Sequence, residues 1–255
     1  MKILKFANIN KGTPILLPDT KSTWITCFVL GALLWIIGFI LWAQGGIDEA
    51  VLFYYNPMRI EMDPIVVVSK WLSSNGMAVI TVLFAVYLLV SKKFKSLDAP
   101  LTVYLYTICS YGLSGIAGDL LKMVFARPRP LTTYGSEILA LSQSATPAIP
   151  SGHATKSIAL VLPFILLVSH SKYLHKGIKI VIGLIAGGVC FSRIVLGAHY
   201  VSDVMAGIGM ALIGLPLSIM FANMLLRKMK QEQLTKLSYI WGFLLIFLTW
   251  VFLMK

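Results

Sequence analysis

Acidic residues are scarce in this chain: ten Asp and Glu stand against 22 Lys and Arg in 255 residues. Charged residues of both signs make up only 13% and hydrophobic ones 58%, which excludes an ordinary soluble domain. The three cysteines, Cys27, Cys109 and Cys190, are odd in number, lack metal-ligand spacing and each sit in an apolar stretch. They read as buried thiols, not as a disulfide framework or a zinc site. No segment repeats at a fixed period and no low-complexity or linker-like stretch divides the chain, so one membrane domain over residues 1–255 is the economical reading.

What the chain has in quantity is apolar length. Thr23–Ala43, Gly76–Val90, Leu101–Phe125, Ser157–Ser169, Ile180–Leu196, Val204–Leu226 and Leu237–Met254 are candidate spans, the second and fourth short of the roughly 20 residues a bilayer asks for. They predict an all-α, polytopic transmembrane helix bundle. The first window outruns a signal-peptide core and has no small-residue cleavage site after it, so it is expected to be an uncleaved anchor. Residues 44–74 mix Phe53, Tyr54, Tyr55 and Trp71 with acidic residues and are interrupted by Pro57 and Pro64, as in a segment lying at the outer membrane–water boundary. Such a segment is a plain connector or a lid.

A net charge of +12 points to nucleic acid in a soluble protein, but here its distribution marks topology instead. With the N-terminus in the cytoplasm, Lys2, Lys5, Lys11, Lys21, Lys92, Lys93, Lys95, Lys172, Lys176, Lys179, Arg227, Lys228, Lys230 and Lys236 gather on one side. The opposite loops hold Asp48, Glu49, Glu61, Asp63 and Glu137, and the positive-inside rule orients every span without conflict. Three polar blocks then fall together on the extracytoplasmic face.

Each block is costly near a bilayer, about 2.5 to 3.5 kcal/mol per charge at its centre, unless a cavity uses it. Lys122 lies near the outer end of the third span and Arg129 seven residues later, before Pro130, so two cations can converge on one anion. Lys122, Arg127 and Arg129 are otherwise explained as cations snorkelling to the interface, and Arg127 is left to that explanation. Pro150-Ser151-Gly152-His153 opens the fourth span. There the Ser151 hydroxyl and the free amides of a helix start face a phosphate oxygen, Gly152 permits close backbone approach, and His153 is suited to protonating a departing oxygen. The bland alternative is a helix cap with a satisfied histidine. Ser192-Arg193 precede a turn at Gly197, after which His199 and Asp203 share a helical face at four-residue spacing. A carboxylate on one imidazole nitrogen leaves the other free to attack phosphorus, and Arg193 offers a planar fork to phosphate oxygens. Alternatively, His199 and Asp203 only tie two helices together.

Lys122-x6-Arg129-Pro130, Pro150-Ser151-Gly152-His153 and Ser192-Arg193-x5-His199-x3-Asp203 together resemble the three-part signature of the type 2 phosphatidic acid phosphatase family, and no position departs from it. The resemblance covers a core of about residues 101–226. It implies six membrane helices, a site at the extracytoplasmic face and a metal-independent phosphatase working through a phosphohistidine, with no cofactor. Carried over position by position, His199 is the nucleophile, Asp203 its partner and His153 the acid for the leaving group, then the base for water. Lys122, Arg129, Ser151, Gly152 and Arg193 hold the phosphate. The segment 237–254 is an additional apolar helix beyond that core.

The expected function is hydrolysis of a terminal phosphate from a lipid phosphate or pyrophosphate in the cytoplasmic (inner) membrane, with undecaprenyl pyrophosphate, phosphatidylglycerophosphate and lipid A phosphates as the substrate classes. A phosphotransferase using the same intermediate and a non-catalytic lipid-phosphate binder are the alternatives. A metal hydrolase is disfavoured because Lys122, Arg129 and Arg193 repel a divalent ion and no carboxylate cluster accompanies His199. The expected partners are the lipid substrate and the membrane, not nucleic acid, and oligomeric state stays open. The loop Leu131–Ile149, between two blocks, is either a headgroup selector or a solvated connector.

Overall fold

A computed structural model describes residues 21–56, 63–93, 102–138, 141, 144–167 and 173–229, together with 233, 236, 237 and 240. Nearly all of the segment 237–254 lies outside the described residues. Among the described residues eight α-helices follow in order: α1 (Lys21–Gln44), α2 (Gly46–Tyr55), α3 (Pro64–Lys93), α4 (Thr102–Phe125), α5 (Pro130–Tyr134), α6 (Gly152–Leu167), α7 (Tyr173–Val195) and α8 (Val201–Leu226). No strand occurs among the described residues, so the all-helical bundle expected from the apolar windows is the one observed.

Within the described residues, five helices are long and apolar enough to cross a membrane, and α6 is a shorter apolar helix. Three helices begin well before the windows read from hydropathy, α7 among them, at Tyr173 rather than Ile180. The second span begins at Pro64 rather than Gly76, so 64–74 is the first part of α3, and only Gly46–Tyr55 of the 44–74 stretch forms a separate short helix. Pro64 suits the first turn of a helix, where its missing N–H has no partner to lose, and the polar run Ser73-Ser74-Asn75 that masks the span in a hydropathy window lies inside the helix. The fourth helix likewise starts at Gly152 instead of Ser157, because the polar Gly-His-Ala-Thr-Lys lead is helical.

α1 packs along α8, α3 along α7, and α4 along both α6 and α8, while α6 also touches α7 and α8 and so occupies the centre. One half of the bundle is filled by Ile80, Phe84, Tyr106, Leu160, Phe164, Ile182, Leu215 and Ile219, with the Phe84 and Phe164 rings stacked at 4.7 Å. Outward-facing positions are apolar too: Val124 is 74% and Leu184 70% exposed, as suits side chains whose solvent is lipid tails. Without a hydrophobic force between helices in lipid, close approach depends on small residues. A Cβ on Gly209 would lie 2.7 Å from the Gly31 carbonyl oxygen, and one on Gly31 would lie 2.7 Å from the Gly209 carbonyl, so α1 and α8 meet backbone to backbone.

Gly209→Leu is therefore expected to prise α1 from α8 and to cost about 1 to 3 kcal/mol, seen as a lower thermal midpoint in detergent. An unchanged midpoint would show that this contact does not hold α1.

Candidate active site

Four helix ends converge at the end of the bundle opposite its apolar core cluster. α4 stops at Phe125 because Ala126 takes φ 45°, a left-handed residue that turns the chain out of the helix before Pro128 and Pro130 forbid its return. α7 ends in a Schellman motif: Gly197 has φ 62°, its amide donates to the Ile194 carbonyl, and the Ala198 amide donates to the Arg193 carbonyl. The His199 amide donates to that same carbonyl at 3.1 Å, which ties His199 to Arg193 through the backbone. A side chain at 197 would also run into Asn56, which itself donates to the Ile194 carbonyl at 3.3 Å.

His199 stands in this turn, two residues before α8 begins, and not on the helix as its spacing to Asp203 predicts. The contact is made nonetheless, because Asp203 is the third residue of α8 and reaches back over the helix start. Its Oδ2 accepts the Tyr200 amide at 3.0 Å and lies 3.3 Å from His199 Nδ1. The other ring nitrogen, Nε2, is 3.4 Å from a guanidinium nitrogen of Arg129. His199 is 1% exposed and Asp203 fully buried. Burial first, then the positive charges of Arg129, Arg193 and Lys122, hold the His199 imidazole well below its usual value of 6.5, against a hydrogen bond to the Ala148 backbone that acts the other way. A neutral ring donating Nδ1–H to Asp203 keeps its Nε2 lone pair available.

A cavity of 840 Å³ opens beside this ring, and its walls include Lys122, Arg129, Gly152, His153, Arg193 and His199. Of the residues singled out from sequence, these six thus share one space. Ser151 is fully buried at the start of α6; its amide donates to the Asp203 carbonyl at 2.9 Å, and its hydroxyl oxygen has no hydrogen-bond partner. Gly152 lies against Lys122, whose Nζ would be 3.7 Å from a Cβ there, an ordinary contact. Ser192 points elsewhere, donating to the Val189 carbonyl of its own helix at 2.7 Å.

Three features escaped the sequence reading. Arg127 does not snorkel: it is 5% exposed, its guanidinium donates to Asp203 Oδ1 at 2.6 Å and to Asp48 Oδ2 at 2.9 Å, and it lies between the Trp42 and Tyr200 rings, 5.0 and 4.0 Å from their centroids. Asp48, 1% exposed on α2, also accepts the Ser202 amide at 3.0 Å. α2 is thereby tied to the start of α8 and, through Arg127, to the carboxylate behind His199. No signal in the sequence separates Arg127 from Arg129, since the partners of Arg127 stand on α2 and α8, far from it in the chain. The second feature is Thr146, in the loop between the first two blocks. Its carbonyl accepts Arg129 Nε at 2.6 Å, and its hydroxyl accepts from Arg129 at 3.1 Å and from Lys122 at 3.5 Å. The third is Ser73 of α3, whose hydroxyl accepts from Arg193.

The arrangement sits within a recognisable sequence relationship. The profile of the PAP2 superfamily matches residues 100–230. A lipid A 1-phosphatase of Rhizobium johnstonii is 33% identical over 123 residues, 46% of this chain and 48% of that protein. Phosphatidylglycerophosphatase B of Bacillus subtilis is 33% identical over 108 residues, 40% of this chain and 50% of that protein. The chain thus spans about half the length of these curated relatives. A crystal structure of a transmembrane PAP2-type phosphatidylglycerolphosphate phosphatase from Bacillus subtilis superposes with a TM-score of 0.55 at 21% identity, covering 79% of this chain and 96% of that one.

Arg127→Met strands two buried carboxylates and is expected to cost about 3 to 5 kcal/mol of stability in a detergent melt, more than Asp48→Asn, which removes only one charge of the network. Equal and small effects from both would mean that the network is not structural. An NMR titration of histidine-labelled protein is expected to show His199 still neutral at pH 6.5, with its midpoint moving up in Arg129→Met; a midpoint at or above 6.5 would contradict the electrostatic picture.

Proposed function

Because the chain belongs to the PAP2 superfamily, we propose that it is a membrane lipid phosphatase which removes a terminal phosphate through a phosphohistidine on His199. One observation carries this reading: Asp203 faces Nδ1 of a neutral, buried imidazole while Nε2 faces a cavity walled by Lys122, Arg129 and Arg193.

In the first half-reaction the three cations neutralise the non-bridging oxygens of the substrate phosphate and turn its phosphorus toward His199. The buried Ser151 hydroxyl, unpartnered within the protein, supplies one further donor, and the first-turn amides of α6 at Gly152 face the same oxygens. Nε2 attacks phosphorus, the bond to the leaving oxygen breaks, and His153 gives that oxygen its proton. Asp203 holds the Nδ1 proton and offsets the positive charge that develops on the ring. In the second half-reaction His153 takes a proton from water as it attacks phosphorus, the N–P bond breaks and inorganic phosphate leaves. No step needs a metal.

The same reading places the protein in the cytoplasmic membrane with its site on the extracytoplasmic, periplasmic face. Residues 92 and 93 at the end of α3, 176 and 179 early in α7, and 227 and 228 after α8 are cationic and lie at the helix ends opposite His199, which supports that orientation. The substrate classes named for the relatives, lipid A 1-phosphate and phosphatidylglycerophosphate, are the first to test, with undecaprenyl pyrophosphate beside them.

Detergent-purified protein is expected to release inorganic phosphate from at least one of these lipids, to keep doing so in EDTA, and to lose at least about a thousandfold in kcat on His199→Ala. Activity surviving that substitution would remove the nucleophile assignment. Label appearing in an acceptor lipid instead of free phosphate would make the protein a phosphotransferase.

A further inference from the structure

The cavity does not end at the phosphate-binding layer. Lys156 of α6 and Asp119 of α4 also line it, with Lys156 Nζ 3.4 Å from Asp119 Oδ2. Lys156 follows His153 by three residues on a helix that runs inward from the site, and Asp119 precedes Lys122 by three on a helix that runs outward to it. Both therefore sit one helical turn, about 4.5 Å, deeper than the catalytic layer. Met77 and Ala78 of α3 and Tyr111 of α4 form the wall deeper still. From outside inward the cavity thus presents a strongly cationic layer, then one amine with a carboxylate, then an apolar surface.

The pair is not explained by stability. Its side chains are 30% and 57% exposed, and an open pair of that kind is worth under about 1 kcal/mol. Its placement is nevertheless specific. The Lys156 stem crosses Gly115, where a Cβ would lie 3.0 Å from its Cε, so the missing side chain at 115 lets the amine reach the cavity. With Lys122, Arg129 and Arg193 gathered around the reacting phosphate, Lys156 is an additional cation one turn toward the lipid tails.

We infer that Lys156 is a specificity-determining residue that reads a second phosphate on the tail side of the one removed, with Asp119 holding the amine in place until that phosphate displaces it. The inference rests on the phosphatase reading above and narrows its substrate class. The favoured lipids carry two phosphates in series, either as a diphosphate or as a phosphomonoester borne on a phosphodiester headgroup. A single phosphate attached directly to a lipid or sugar leaves Lys156 unused.

The test compares kcat/KM of the parent, Lys156→Met and Lys156→Arg on matched lipids: a prenyl diphosphate against the prenyl monophosphate, and phosphatidylglycerophosphate against phosphatidic acid. In Lys156→Met the preference for the two-phosphate member of a pair is expected to fall about tenfold, chiefly through KM, and Lys156→Arg is expected to restore most of it. Loss confined to the first pair identifies a diphosphate, and loss confined to the second a bridged pair of phosphates. An unchanged preference in both pairs, including a uniform loss on all four lipids, overturns the inference while leaving the phosphatase reading intact. A parent protein that hydrolyses none of the four overturns this inference, and the phosphatase reading falls with it only when lipid A 1-phosphate is left intact as well.

Discussion

The outer end of the molecule depends on one buried carboxylate. Among the described residues the Asp203 carboxylate has three partners: the guanidinium of Arg127, the amide of Tyr200 and the imidazole of His199. Each fixes something different. The amide sets where α8 begins, Arg127 carries the link across to Asp48 on α2, and the imidazole receives the orientation that leaves Nε2 facing the cavity. A carboxylate without solvent exposure is tolerable only when its lone pairs are answered in this way, so the demands of burial and of chemistry coincide at one residue.

The surrounding charges follow the same constraint. Arg127 and Arg129 are separated by a single proline, yet the first is closed within a network of carboxylates and aromatic rings, whereas the second faces the cavity with its nearest protein partners being Thr146, the Ala198 carbonyl and the imidazole. The Arg-Pro-Arg-Pro geometry sends neighbouring cations to opposite duties. Among the described residues that wall the cavity with Lys122, Arg129 and Arg193, the one carboxylate is that of Asp119, one turn deeper.

Much of the fold was legible because hydropathy and charge act locally. Apolar windows located α1, α4 and α8 near their observed bounds and the apolar parts of α3, α6 and α7; in α3 what they missed was the first part, whose Ser73-Ser74-Asn75 run lies along the cavity and so depresses the average. Of the site, the residues with a paired chemical logic stood out: a histidine four before an aspartate, two cations seven residues apart ahead of a proline, a Ser-Gly-His at a helix start. Asp48, Ser73 and Thr146 did not. Each is an ordinary residue in an ordinary segment, and its part in the site comes from a partner 154, 120 or 17 positions away.

Sequence alone determined that this is an all-helical membrane protein, and it named Lys122, Arg129, His153, Arg193 and His199 of the polar residues that wall the cavity, because a charge in an apolar chain needs a local reason that can be read where it occurs. Tertiary structure alone decided which of those charges are closed within a buried network and which face the cavity. Arg127 and Arg129 are indistinguishable in composition and spacing; only the packing of α2 against the start of α8 brings Asp48 to the first and leaves the second beside His199.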